Sequence, residues 1–149
     1  MSRSNAPAER ERMAELLHAA LFELPVHDID RHAKVLSLIG EVRHPDSVPF
    51  LERFVWLEDA QLLPPEVREG ESGGSCGRVE SWRVLQARAA QLLVWVSRGA
   101  HLDRVRRILY EHPDIRVRVA TIDACVDATG DDPRMLGALR EMARVEACG

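Results

Sequence analysis

The chain is expected to be all-α, a short α-solenoid of about three helix pairs behind an N-terminal capping helix. Apolar residues recur at helical spacing along most of its length. A helix, a turn and a second helix then return further along in the same apolar register. No segment needs a strand: the run Leu92–Val96 sits within a longer stretch rich in Ala, Gln, Arg and Leu, residues that favour a helix. With 149 residues, 46% of them hydrophobic, the chain is long enough to bury one continuous core as a single domain.

The capping helix is predicted over 7–24, where Met13, Leu16, Leu17, Ala20, Leu21 and Leu24 share a face. Pro7 suits a first helical turn, and Pro25 stops the helix because it has no amide donor. The first pair is predicted over 30–58. Val35, Leu38 and Val42 mark its first helix, Gly40 and His44-Pro45-Asp46 its turn, and Val48, Leu51, Phe54 and Val55 its second helix. Moving 54 residues forward, without a gap in either helix, gives Ala89, Leu92 and Val96 and then Leu102, Val105, Ile108 and Leu109, the second pair, over 79–111.

The third pair is predicted over 114–145, with Ile115, Val119, Ile122 and Val126 in its first helix and Leu136, Leu139, Met142 and Ala143 in its second. Asp46, Asp114 and Asp132 stand where an acceptor side chain caps the next helix. Between the first two pairs, residues 64–78 are rich in Pro, Gly, Ser and Glu, a composition that predicts a flexible surface loop.

The phrases HAKVLSLIGEVRHPDSVPFLERFV, ARAAQLLVWVSRGAHLDRVRRIL and HPDIRVRVATIDACVDATGDDPRMLGALREMA resemble HEAT repeats, over roughly residues 30–145. The motif describes a packing solution, so the resemblance implies fold more than function. In that family the second helices line the concave surface where partners dock. Carried onto this chain, the resemblance implies a partner-binding face of Arg53, Trp56, Arg104, Arg107, Tyr110, Glu141 and Arg144. Trp56 beside an arginine is the pairing most enriched at protein-binding hot spots.

Several clusters invite a chemical reading, each with a plainer structural one. His27 and Asp28 are adjacent potential metal ligands, but no further ligand helices complete a site, and an aspartate opening a helix explains them. His44-Pro45-Asp46 and His112-Pro113-Asp114 repeat a tripeptide at different points of the helix-pair pattern, as turn chemistry would. Asp123 and Asp127 share a helix face without a partnering histidine and read as an exposed acidic face. The three cysteines Cys76, Cys125 and Cys148 form no metal-binding or disulfide spacing; Cys125 borders the apolar stripe and reads as core.

The formal charge of −4 disfavours a module held by phosphate neutralisation. Charge is uneven: residues 98–118 carry six arginines against three acids, whereas residues 23–80 carry twelve acids against six bases. This asymmetry suits an acidic partner at the middle repeat, or head-to-tail self-association. The charged N-terminal stretch and the lack of a long uncharged apolar run predict no membrane partner and a cytoplasmic location.

The function expected from these features is a non-catalytic adaptor or scaffold binding a protein or peptide, with no cofactor, metal or catalytic residue. The alternatives are a structural subunit of a larger bacterial assembly and a HEAT-like enzyme resembling DNA glycosylases or bilin lyases. Net acidity argues against the first enzyme class, and no motif maps residue by residue onto the second.

Overall fold

The computed structural model describes residues 6–58, 72–97 and 101–128, with positions 137 and 140, and every regular element among them is helical. The helices are α1 (Ala6–Glu23), α2 (Ile29–Val42), α3 (Ser47–Val55), α4 (Ser72–Ser97), α5 (Leu102–Glu111) and α6 (Ile115–Ala128). None of the described helices is long and apolar enough to cross a membrane. Residues 64–71, Asp132, the predicted second-helix residues Leu136, Leu139, Met142 and Ala143, and Glu141, Arg144 and Cys148 lie outside the described residues. Helix α4 starts at Ser72, within the span 64–78 for which a loop is predicted. Extending a helix fixes only one residue per added hydrogen bond, once packing holds its body.

Helix α4 is the centre of the molecule, packed against α2, α3 and α6, while α1 lies on α2 and α3, and α5 on α6. Its residues Ala89, Ala90, Leu92, Leu93 and Val94 are all buried, while Val84, Arg88 and Trp95 form an exposed strip, so it is covered over a wide arc, which accounts for the apolar run read there. Gly40, expected to interrupt a turn, lies within α2 instead. A Cβ at that position would stand 2.6 Å from Leu92 Cδ2, so the missing side chain lets α2 approach α4.

Three registers agree with the sequence and three do not; in α4 the expected Ala89, Leu92 and Val96 are all buried. Val48, Leu51, Phe54 and Val55 of α3 and Val105, Ile108 and Leu109 of α5 are buried as expected. In α1 the buried stripe is Ala14, Leu17, His18 and Leu21, with Met13 and Leu16 facing solvent, Leu16 being 62% exposed. In α2 it is His32, Leu36 and Ile39, with Leu38 exposed.

In α6 it is Val117, Ala120, Thr121, Ala124 and Cys125, leaving Ile115, Val119 and Val126 exposed, Ile115 at 64%. The cause is the same each time: a polar or small residue occupies the core face because it fits there. His32 bonds the Asp28 carbonyl at 2.6 Å, and the Thr121 hydroxyl donates to Val117 O at 2.7 Å, so neither polar group is left bare.

Helix ends are closed mostly by distant side chains. Asp28 caps α2 by accepting from the Arg31 amide at 3.2 Å. At the other end of α2, Arg43 adopts a left-handed conformation (φ 50°), and Arg10 of α1 donates to Val42 O at 2.9 Å and Arg43 O at 2.7 Å. The carboxyl end of α3 is satisfied by Gln86, which donates to Phe54 O at 3.1 Å and Leu57 O at 2.8 Å, and by His112, which bonds Val55 O at 2.8 Å. Trp82 donates to Val26 O at 3.1 Å and anchors α4 to the turn between α1 and α2. Of the predicted caps, Asp114 accepts from the amides of Arg116 (2.8 Å) and Val117 (3.4 Å). Asp46 makes no such bond, because its own backbone is already helical (φ −67°, ψ −11°) and capping needs a more extended one.

Candidate functional site

Helices α3 and α5 meet through charged and aromatic side chains. Arg104 bonds Glu52 at 2.7 Å. One turn further along α3, the Arg107 guanidinium lies 4.6 Å from the centre of the Trp56 ring, and the His112 ring packs against the same indole at 5.1 Å. Arg107 is held from its other side by Glu111 at 3.2 Å. Tyr110 is exposed on the same helix. Trp56 is partly buried against the core, and its Nε1 is shielded from solvent without an acceptor among the described residues.

The structure thus joins Trp56, Arg104 and Arg107, with Tyr110 on the same helix as the two arginines. It does not bring Arg53 to them. The Arg53 guanidinium turns to α1 and lies 4.3 Å from the centre of the Phe22 ring. Each of the three arginines therefore has an intramolecular partner, which orients it but also occupies part of the positive charge read as attractive to an acidic partner.

Arg53 belongs to a groove between α1 and α3 of about 420 Å³. Phe22, Phe50 and His18 form its aromatic floor. The imidazole of His18 stacks on Phe50 at 4.2 Å with the planes 14° apart, and Phe22 is tilted against Phe50 at 6.3 Å. His18 is 5% exposed, and its Nε2 pairs with the buried Ser47 hydroxyl at 2.7 Å. Burial, followed by the neighbouring His44, pushes the His18 pKa down against the opposing pull of Asp46 and Glu15, so the ring is neutral at pH 7.

The sequence reading missed this groove. Its signal was the stripe Glu11, Glu15, His18 and Phe22, at helical spacing on one side of α1. Phe50 and Arg53 come from a helix some thirty positions away, and no local pattern links them to it.

The other candidate groups fall where packing explains them. Asp28 is the α2 cap, and among the described residues no three His, Cys, Asp or Glu side chains converge to hold a metal ion. Asp123 and Asp127 are both exposed on α6. Cys125 is fully buried, and burial pushes its thiol up to about 11, leaving it protonated at neutral pH. Comparisons of the chain with protein-family models, with curated proteins and with solved structures return no match.

Proposed function

We propose that the chain is a non-catalytic interaction module, a short solenoid of HEAT-like helix pairs that binds a protein or peptide on the face formed by its second helices, α3 and α5. The observation that carries this reading is the Arg107–Trp56 stack beside exposed Tyr110. Aromatic and guanidinium groups dominate binding energy at protein interfaces, and side chains already held in place lose less entropy on docking. Glu52 and Glu111 provide that holding for Arg104 and Arg107.

The test uses residues outside the core. With Arg107→Ala and Tyr110→Ala combined, the thermal midpoint should stay within roughly 2 °C of wild type, as surface changes usually allow. Capture of the partner from host lysate should fall at least about tenfold, the scale of one hot spot. A folded variant that captures the same partner equally well would remove the α3/α5 face from consideration.

A second reading, a subunit of a larger assembly, is favoured by the exposed stripe Ile115, Val119 and Val126 on α6. Capture that survives the double substitution but is lost on Val119→Glu would select it.

A further inference from the structure

We propose that the groove between α1 and α3 is a second binding site, which takes the cationic side chain of a basic segment, an arginine or lysine of a partner protein. This site is distinct from the α3/α5 face and does not depend on it.

Charge is the first argument. The groove is lined by four carboxylates, Glu11, Glu15, Glu23 and Asp46, against the single guanidinium of Arg53, and its two histidines include the neutral His18. Among the described residues, none of Glu11, Glu15 and Glu23 is ion-paired, so their charge is available to a ligand. The carboxylates do not converge on a point as metal ligands would, which favours an extended organic cation over an inorganic ion.

The floor is the second argument. Phe22 and Phe50 line the groove, His18 stacks on one face of Phe50, and the protein itself already seats a guanidinium, that of Arg53, on the Phe22 ring. The geometry for a cation over this surface is therefore realised within the molecule.

His18 is the third. The residue is buried, and its Nε2 pairs with the Ser47 hydroxyl at 2.7 Å, which fixes the ring in place. The ring lines the groove beside Phe22 and Phe50. It gives the groove a polar imidazole beside the aromatic rings, as binding pockets use to orient a ligand.

The probe is an acetylated, amidated heptapeptide alternating glycine and arginine, titrated at low salt and pH 7.5 while the imidazole resonances of His18 are followed by NMR. Those resonances should shift and saturate. Glu15→Gln with Glu23→Gln should weaken binding at least about tenfold, or about 1.4 kcal/mol. Asp123→Asn with Asp127→Asn, the same loss of charge on α6, should change it less than about twofold, as should Arg107→Ala with Tyr110→Ala.

Equal weakening by the two charge-neutralised pairs would reduce the effect to overall electrostatics and overturn the site, as would saturable binding that leaves His18 unmoved. Loss of peptide binding in the Arg107→Ala, Tyr110→Ala variant would place the peptide on the other face. Spermidine binding as tightly as the peptide would assign the groove to free amines and overturn the protein-segment assignment.

Discussion

His-Pro-Asp occurs twice, and both copies make the same inner bond: the aspartate amide donates to the histidine Nδ1, at 3.1 Å in each. With Nδ1 accepting, the ring N–H of each lies on Nε2. Beyond that bond the two turns diverge. His112 is buried, and its Nε2–H reaches Val55 O at the end of α3, while Asp114 caps α6 and pairs with Arg116 at 3.2 Å and Arg83 at 3.8 Å. His44 is half-buried beside the α1/α3 groove, and the exposed Asp46 side chain caps nothing. Identical local chemistry becomes an anchor where three helices meet and a rim where two part.

The largest effect should come from His112→Ala. It strands the Val55 carbonyl in the core and leaves a void, at a cost of about 3 kcal/mol in urea unfolding at pH 7. The same substitution should flatten part of the pH dependence. Burial, with a smaller contribution from Arg83, outweighs the Val55 bond and lowers the folded-state pKa of His112 below its ordinary 6.5. Between those values the unfolded chain binds the proton more readily, so the contribution is complete above pH 6.5 and shrinks as pH falls through the folded pKa. The wild type should therefore lose stability below pH 6.5 more steeply than the variant does.

Asp114→Ala comes next, at roughly 1 kcal/mol for a lost helix cap. Burial raises the Asp114 pKa, but the bonds from the Arg116 side chain and amide outweigh it and hold the carboxyl below its ordinary 3.8. Its stabilisation is present above pH 3.8 and lost as pH falls further, so urea midpoints of variant and wild type should draw together in strong acid. His44→Ala should cost least, under about 0.5 kcal/mol by the same unfolding measurement, as expected for a side chain whose polar contacts are local. A cost equal to that of His112→Ala would abolish the distinction between the turns.

How much of this could be read beforehand depended on what occupies the core face. In α3 and α5 the buried positions hold Val, Leu, Ile and Phe, and a search for apolar residues finds them. In α1 and α6 the core face holds His18, Thr121, Cys125 and alanines, while larger apolar residues such as Leu16 and Ile115 stay outside, so the same search selects the wrong arc. Helix register was also enough to place Arg104, Arg107 and Tyr110 together on one helix near Trp56. It was not enough to send Arg53 to Phe22, because that contact depends on how α1 crosses α3, which neither segment encodes alone.

The closing of α3 by Gln86 and His112 has a consequence for how the molecule comes apart. Arrays of helix pairs can lose their units one at a time when each unit satisfies itself. Here α3 has no glycine at its end, and its last carbonyls borrow their donors from α4 and from the turn before α6. Loosening either of those neighbours exposes the end of α3 as well, so the region from α3 to α6 should melt in one cooperative step, and a chain truncated after α3 should not hold that helix.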